Sequence, residues 1–274
     1  MARIYTLVNQ KGGVGKTTTA VNLAAYLARL GQRVLLVDLD PQANATSSLG
    51  MDKTKVAGGT YDALIGGASP REHVLHSPQL KLALLPASPA LAGAEVELVN
   101  MLARETQLRN ALADLESGYD YVLVDCPPSL GLLTINGLAA AREGVIIPVQ
   151  CEYLALEGLG QLTNTITRVR AALYPGLTIR GLVMTMYDAR ASLSQQVVAE
   201  VHKHFPGKVF KAIIPRSVRL AEAPSHGLPV AVYSPNSTGA AAYRALAEEL
   251  LNADQPTPPS STMTAQPSGT FDAG

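Results

Sequence analysis

Short apolar runs alternate with longer segments of helical periodicity along most of the chain. An apolar run with no alternating polar residue is typical of a parallel strand that is buried on both faces of a sheet. Such runs predict strands at 4–8, 34–37, 80–85, 121–124, 145–149 and 179–186, with short strands near 209 and 213–214. Periods near 3.6 predict helices at 16–30, 106–115, 156–173, 192–205 and 238–251. The alternation predicts an α/β fold in which a mostly parallel, twisted sheet is covered by helices on both faces.

The composition changes from residue 252 onward. Four prolines stand there among serine, threonine and glycine, and Leu, Ile and Val are absent. Such a segment cannot bury enough apolar surface to offset the entropy cost of ordering itself. A chain of 274 residues suits one large domain. We therefore expect a single domain over residues 1–251 and a flexible tail over residues 252–274.

The overall composition excludes several classes of protein. A hydrophobic content of 47% excludes disorder of the whole chain, and two cysteines cannot form a disulfide framework. No apolar run approaches the roughly 20 residues of a membrane span. The first residues run directly into a glycine-rich segment and lack the apolar core of a secretion signal. These features predict a cytoplasmic protein that does not associate with a membrane.

Positive charge is concentrated in one segment, although the chain has 22 basic and 22 acidic residues. Residues 190–220 contain six basic residues and one acidic residue. The count alone allows a patch that faces a polyanion and, equally well, a set of solvated surface charges. The basic residues are Arg190, Lys203, Lys208, Lys211, Arg216 and Arg219.

The strongest chemical signal follows the first predicted strand and opens the first helix. This strand, glycine-rich loop and helix are the context of a phosphate-binding loop, in which backbone N–H groups and the helix N-terminus point at the phosphates. We expect Lys16 to contact the β- and γ-phosphates and the Thr17 hydroxyl to bind Mg²⁺. The predicted nucleotide-binding residues are Lys11, Gly12, Gly13, Val14, Gly15, Lys16, Thr17 and Thr18.

This loop departs from the usual P-loop pattern at its start. Gln10 stands where the first glycine is expected, and a second lysine, Lys11, follows it. Because Lys16 already serves the phosphates from within the loop, Lys11 is predicted to project outward. It either reaches a phosphate that a neighbouring subunit holds or is an ordinary surface lysine.

Three aspartates stand at the predicted carboxyl ends of strands, where α/β sheets place their ligands. Asp125 is expected to support Mg²⁺ through water, from outside its direct ligands. Asp38 and Asp40 are two residues apart, which would place them on one side of a continuing strand. Asp38 is expected to support Mg²⁺ through water, and Asp40 to orient or deprotonate the attacking water. For Asp40, a simple turn residue before Pro41 is the alternative.

Taken together, these motifs resemble the ParA family of chromosome- and plasmid-partition ATPases, in its short Soj-type branch. The resemblance covers about residues 2–251 and leaves no room before Arg3 for an additional N-terminal DNA-binding domain. The segments that carry it are residues 8–19, 37–42, 125–129, 148–153 and 214–227.

The resemblance implies a weak ATPase that uses ATP and Mg²⁺ and closes as a sandwich homodimer over the nucleotide. Lys11 matches the lysine that contacts the partner's phosphates, and Asp40 matches the acid needed for hydrolysis. Pro215 and Arg216 match the segment that lines the adenine pocket. The ATP-bound dimer is expected to bind double-stranded DNA without sequence preference, and a ParB-type protein is expected to stimulate hydrolysis. Such a protein is nucleoid-associated.

The same resemblance favours the DNA-binding interpretation of the basic segment. Arg190 and Arg219 match the positions best placed to contact DNA, and Arg216 is a third candidate. Lys203, Lys208 and Lys211 are weaker candidates, because lysines near a helix end are common on surfaces. Contacts to phosphate alone give affinity that is independent of sequence and sensitive to salt.

Three other functions share parts of the pattern. A MinD-like membrane switch requires a basic amphipathic C-terminal helix, but no Lys or Arg follows Arg244. A nitrogenase-reductase-like iron protein requires two cluster-binding cysteines, whereas Cys126 and Cys151 are typical of small buried apolar residues. A nucleotide-binding scaffold without turnover would leave Asp40 without a role.

Overall fold

A computed structural model describes residues 1–67 and 69–255 of the chain. The chain forms one sheet of seven strands, in which six strands are parallel and the short strand at one edge is antiparallel. The strands are β1 (Arg3–Leu7), β2 (Val34–Asp38), β3 (Leu75–Ser77), β4 (Leu82–Leu85), β5 (Tyr121–Asp125), β6 (Gly144–Gln150) and β7 (Ile179–Thr185). Their order across the sheet is β3-β4-β2-β5-β1-β6-β7, so the first strand lies in the interior. The predicted α/β class with a mostly parallel sheet is confirmed.

Ten α-helices in the described residues connect or flank these strands. The helices are α1 (Lys16–Arg29), α2 (Asn44–Ser48), α3 (Leu91–Leu98), α4 (Gln107–Ala113), α5 (Leu132–Ala140), α6 (Ala155–Ala172), α7 (Ser192–His204), α8 (Val218–Glu222), α9 (Val230–Tyr233) and α10 (Thr238–Asp254). Several are single turns, and the longest are α6, α10 and α1.

Successive residues of the central strands enter hydrophobic clusters on opposite faces of the sheet. On one face, Tyr5 and Leu36 pack with α1 and α10. On the other face, Ile4 and Leu35 pack with α3, α4 and α5, and β6 and β7 pack with α6 and α7. Burial on both faces explains why these strands are apolar without alternation. No helix in the described part of the chain is long and apolar enough to cross a membrane.

The segment that follows α7 differs from its prediction. Val209 and Pro215 form single parallel bridges to Leu182 and Tyr187 rather than two short strands. Between them, the backbone N–H groups of Lys211 and Ala212 donate to the Glu249 carboxylate, at 2.9 and 3.0 Å, instead of to β7. A side chain of α10 therefore interrupts the ladder.

Other elements have no clear signature in the sequence. The hydrophobic pattern missed α2 and β3, which are five and three residues long, and it missed α3 and α5, which are apolar around most of their circumference. Helix α10 continues to Asp254, beyond the predicted end at residue 251. The predicted flexible tail lies outside the described residues from position 256 onward.

The end of α10 is fixed to the sheet by a buried polar cluster. The Asp254 carboxylate accepts hydrogen bonds from the hydroxyls of Tyr5 at 2.7 Å and Tyr121 at 3.1 Å. It also pairs with Arg180 at 3.0 Å, and its side chain is only 5% exposed. Desolvation by burial, followed by the interactions with Asp254, raises the pKa of both tyrosines. The cluster connects α10 to three strands of the sheet.

We predict that Asp254→Ala destabilises the protein by about 3 kcal/mol, because it leaves the partly buried Arg180 without its counter-ion. The measurement is the free energy of unfolding in urea. Glu248→Ala on the same helix is the matched control, since Glu248 pairs with Arg244 on the surface at 2.8 Å. Its loss should cost less than about 1 kcal/mol. Equal losses for the two variants would contradict the anchoring role of Asp254.

Candidate functional site

The glycine-rich loop joins β1 to α1 at the carboxyl edge of the sheet. Gly13 and Gly15 adopt φ angles of 75° and 87°, in the left-handed region that favours glycine. The Val14 carbonyl accepts a hydrogen bond from the Thr185 hydroxyl at 2.8 Å, which ties the loop to the end of β7. The loop is thus fixed between the end of β1, the end of β7 and the N-terminus of α1, as phosphate binding requires.

Lys16 lies inside the loop and is almost fully buried. Its ammonium donates to the Lys11 carbonyl at 3.0 Å. Burial lowers the pKa of Lys16, while the neighbouring Asp125, Cys126 and Asp40 counteract this change. A buried cation surrounded by backbone N–H groups is a suitable partner for phosphate oxygens.

The side chain of Lys11 leaves the loop in a different direction. Its ammonium pairs with Glu152, beyond the end of β6, at 2.8 Å, and about a third of the side chain is exposed. Gln150 also donates to the Glu152 carboxylate. The Asn9 side chain fixes the backbone beneath, since it accepts from the Lys11 N–H at 3.0 Å and donates to the Pro148 carbonyl at 2.8 Å. The structure therefore places Lys11 at the rim of the site.

The Asp125 carboxylate is fully buried at the end of β5, and neither of its oxygens has a hydrogen-bond partner among the described residues. Burial raises its pKa well above the usual value, and the nearby Asp38 raises it further. The Thr17 hydroxyl and the Lys16 ammonium are close enough to offset part of this rise. A buried carboxylate without a partner, beside a hydroxyl, fits a hard divalent cation such as Mg²⁺.

Asp38 is bonded quite differently, although it lies directly opposite Asp125 in the pairing of β2 with β5. Its Oδ2 accepts from the Thr46 hydroxyl at 2.7 Å and from the Thr46 N–H at 2.8 Å, and Oδ1 accepts from the Asp40 N–H at 3.2 Å. Burial raises its pKa to about 6 in spite of these bonds. Asp38 thus organises the loop after β2, and its oxygens are less available to a cation than those of Asp125.

The geometry expected for Asp38 and Asp40 is wrong. Strand β2 ends at Asp38, so the two residues do not follow one another on a continuing strand. Asp40 begins a turn instead, in which its Oδ1 accepts the Gln42 N–H at 2.9 Å and its carbonyl accepts the Ala43 N–H at 2.8 Å. The Asp40 side chain is buried all the same, and its charge acts on both Lys16 and Asp125.

A pocket of about 260 Å³ opens beside the loop. Pro215 and Arg216 line it together with Thr18 and Tyr243, so the structure places both predicted adenine-pocket residues against the P-loop. The Tyr243 hydroxyl lies 3.1 Å from that of Thr19 and joins α10 to α1 at the pocket floor. A larger cavity, of about 580 Å³, lies at the opposite edge of the sheet and contains none of the motif residues.

The six predicted DNA-binding residues form two groups. Arg190 and Arg216 lie on adjacent segments, because the Arg216 N–H donates to the Tyr187 carbonyl at 2.9 Å. Arg219 lies just beyond, in the first turn of α8. Lys203 lies in the last turn of α7, and Lys208 lies beside Leu182 in the middle of β7, farther from the nucleotide-binding edge. Lys211 lies between the two groups along the chain.

Most of these basic side chains are exposed, but two of the arginines are already paired. Arg190 forms a fork with Asp188 at 3.0 Å and remains 91% exposed. Arg190 holds the pKa of Asp188 at about 2 through hydrogen bonds. Arg219 pairs with Glu222 at 2.8 Å. The carboxylates neutralise part of the positive charge in the isolated chain.

Comparison with known proteins decides the family. A family model described as an AAA domain matches residues 2–179. The sporulation initiation inhibitor protein Soj of Bacillus subtilis is 53% identical over 91% of this chain and 98% of its own length. The chromosome-partitioning ATPase Soj of Thermus thermophilus is 57% identical over 91% of this chain and 95% of its own length. The chain belongs to the ParA/Soj family of chromosome-partitioning ATPases. The predicted ATP hydrolase class is thereby confirmed.

Solved structures support the same assignment. A Mycobacterium smegmatis protein named cobyrinic acid a,c-diamide synthase, with bound ATP analogue and magnesium, is 41% identical, with a TM-score of 0.81 over 92% of this chain and 95% of that chain. MinD of Pyrococcus horikoshii, complexed with Mg-ADP, is 26% identical, with a TM-score of 0.72 over 91% of this chain and 96% of that chain. The prediction of ATP and Mg²⁺ as cofactors is confirmed for the ParA/Soj family by these ligands.

The two cysteines behave as buried apolar residues within this ParA/Soj fold. Cys126 is completely buried, and burial raises its pKa well above the usual value. Burial raises the pKa of Cys151 to about 11. In the described part of the chain, no group of three or more His, Cys, Asp or Glu residues is arranged to hold a metal.

Several residues that shape this ParA/Soj site were not predicted. Glu152 pairs with Lys11, Thr185 holds the loop, Thr46 fixes Asp38, and Tyr243 lines the pocket. Glu152, Thr185 and Tyr243 lie more than 100 residues along the chain from their partners, and Thr46 lies eight residues from Asp38, so no local pattern marks them. Only Glu152 lay within a segment that carried the family resemblance.

We predict that Asp125→Asn stabilises the ligand-free protein. A raised pKa means that the native carboxyl holds a proton that the unfolded chain releases, so native stability falls as pH rises above about 4. At pH 8 the variant should unfold at a higher temperature than the native chain, and the difference should shrink towards pH 4. The further stabilisation by Mg²⁺ and nucleotide should disappear, as measured by thermal unfolding with and without both.

Asp38→Asn is the matched control for this prediction. Burial raises the pKa of Asp38 as well, but its carboxylate accepts three hydrogen bonds that an amide cannot all replace, so this variant should gain less stability at pH 8 than Asp125→Asn does. An Asp125→Asn protein that is no more stable than the native chain, or that keeps its response to Mg²⁺, would contradict the assignment.

Proposed function

We propose that Mg²⁺-ATP closes two copies of the chain into a sandwich homodimer and that this dimer binds double-stranded DNA without sequence preference. A ParB-type partner then stimulates hydrolysis, and the dimer separates and releases the DNA. The place of action is the cytoplasm, on the nucleoid. The similarity to Soj and ParA proteins that are named for chromosome partitioning supports this proposal.

The orientation of Lys11 is the observation that carries the proposal. Lys16 already bonds back into its own loop, whereas Lys11 extends to the rim and pairs with Glu152. Exposed ion pairs contribute about 0–1 kcal/mol, so Lys11 exchanges this partner at little cost. Tyr153, next to Glu152, is 82% exposed and offers an aromatic surface to a facing copy. Lys11 is therefore suited to bind the triphosphate that is held by the facing copy of the chain.

The chemistry of hydrolysis follows from the residues around the loop. Lys16 and the loop N–H groups bind and orient the phosphates. Thr17 and Asp125 would hold Mg²⁺, which when bound neutralises charge on the β- and γ-phosphate oxygens. Asp40, at the start of the adjacent turn, is placed to orient or deprotonate the attacking water.

The DNA-binding surface is proposed to form around Arg190, Arg216 and Arg219, at the same edge of the sheet as the nucleotide. Arg216 lines the nucleotide pocket as well, so it lies between the two sites. A dimer presents two such groups, and simultaneous contacts raise the apparent affinity strongly. Nucleotide-dependent dimerisation can therefore switch DNA binding on.

The deciding experiment measures DNA affinity with ATP, with ADP and without nucleotide across a salt series. We expect tight binding with ATP only, and a log–log salt slope of about −0.9 for each phosphate neutralised. Arg190→Ala or Arg219→Ala should weaken DNA binding and make the slope shallower by about 1 to 2, because a dimer carries each residue twice. Dimerisation, measured by light scattering, should be unchanged.

Arg244→Ala is the control for these variants. Arg244 is also an exposed arginine that pairs with a carboxylate on its own helix, but it lies on α10, outside the proposed surface. Its replacement should leave the slope as it is. DNA binding that is equal in all three nucleotide states, or equal for all three arginine variants, would rule out the proposed switch.

Asp40→Ala tests the hydrolytic role. We expect the variant to bind ATP normally and to lose most of its turnover, so that it accumulates as an ATP dimer on DNA. Phosphate release and the lifetime of the DNA complex are the measurements. Lys16→Ala is the contrasting control, since it should abolish ATP binding itself. Native turnover in the Asp40→Ala protein would show that another group activates the water.

A further inference from the structure

Two stretches of backbone pass close together at Gly50, just after α2, and at Gly227. Their φ angles are 82° and 65°, in the left-handed region that favours glycine. A Cβ atom at position 227 would lie 2.5 Å from the Gly50 Cα and 3.0 Å from the Gly50 N, so a side chain there requires one backbone to move. We call this pair of residues the glycine contact.

On one side, the glycine contact is joined through Thr46 to the acids of the nucleotide site. The N–H groups of Leu49 and Met51, the residues on either side of the first glycine, donate to the Thr46 carbonyl at 3.2 and 3.3 Å. The hydroxyl and N–H of Thr46 donate in turn to Oδ2 of Asp38. The other oxygen of Asp38 accepts the Asp40 N–H. A shift of the loop after α2 would therefore displace both acids.

On the other side, the glycine contact is fixed by the segment that carries the proposed DNA-binding arginines. Gly227 follows a 3₁₀ turn that continues α8. The His226 ring stacks on the ring of Tyr233, with centroids 4.7 Å apart, and the Tyr233 hydroxyl donates to Glu222 at 3.0 Å. Glu222 is also the partner of Arg219. The turn before Gly227 is thus held against α9, and it gives α2 a fixed support.

We propose that Gly227 is a positioning residue for ATP hydrolysis, which acts by fixing Gly50 and, through α2, the turn that begins at Asp40. This inference rests on the proposed function, which assigns the attacking water to Asp40, and it adds the contact that holds this acid in place. A displacement of about 1 Å in a group that orients a reactant lowers the rate strongly, even when its cause lies outside the site. The close approach of the two backbones explains why position 227 holds a glycine.

The test compares Gly227→Ala with Gly207→Ala in the full chain, with Mg²⁺-ATP as the substrate. The φ angle of Gly207 is 69°, but a Cβ atom there would meet no other atom within 4 Å. The control therefore carries the same backbone penalty without the collision. We expect the kcat of Gly227→Ala to fall about tenfold or more, with KM and ATP affinity at their native values. For Gly207→Ala, all three should be native.

A double variant tests the route. Gly227→Ala should cause no further loss of turnover when it is added to Asp40→Ala, because both changes act on the same step. If Gly227→Ala does not fold, Gly50→Ala replaces it, since its Cβ meets only the Gly227 carbonyl oxygen, at 3.3 Å. Its control is Gly31→Ala, at a φ angle of 90° with no atom within 4 Å of the new Cβ.

The outcomes separate this inference from the proposed function. Native turnover in Asp40→Ala would refute the proposed role of Asp40 itself. If Asp40→Ala loses turnover while Gly227→Ala and its control have the same kcat, only the positioning role is wrong. If Gly227→Ala binds ATP less tightly at native kcat, the glycine contact shapes the nucleotide pocket instead of placing the acids, which overturns the inference as well.

Discussion

The site depends on a carboxylate that the protein buries and leaves without a partner. Asp125 sits at the end of an interior strand, where parallel strands converge and water is excluded. Ionising a buried carboxyl group costs far more than ionising one at the surface, which is why burial raises the pKa of Asp125. The neighbouring side chains reduce this cost. Lys16 and Thr17 lie near the Asp125 carboxyl, and the neighbouring Asp38 carboxylate is hydrogen-bonded to Thr46. A ligand that brings a divalent cation removes the cost, so binding and folding stability are coupled at this position.

Helix α10 contacts the nucleotide site and two other regions of the fold. Tyr243 meets Thr19 of the P-loop helix, Glu249 holds the backbone N–H groups of the segment that leads to Arg216, and Asp254 fixes the helix end to the sheet. These contacts follow one another along a single helix. Because this one helix contacts both the nucleotide pocket and the basic segment, it fixes the position of these two parts relative to each other.

The fold and the phosphate-binding loop could be predicted from sequence because both depend on local patterns. Interior parallel strands are apolar throughout, and the glycines at 13 and 15 are required by φ angles that other residues avoid. The geometry of the acids could not be predicted in the same way. Whether Asp38 turns toward a cation or toward Thr46 depends on α2, a helix of five residues without a recognisable pattern. Likewise, Asp40 was expected on a strand, but its own side chain bonds the Gln42 N–H and begins a turn.

The ion pairs of the surface follow a consistent arrangement. Lys11 is paired with Glu152, Arg190 with Asp188, and Arg219 with Glu222, so each of these cations already has a carboxylate partner from its own chain. Because the chain has no net charge and these cations are paired, their attraction to polyanions is weaker than that of unpaired cations. Each carboxylate is partly exposed and is resolvated when its cation leaves, so the exchange costs little. Pairing of this kind makes attraction to phosphate depend on how many cations are brought together at once, which dimerisation would control.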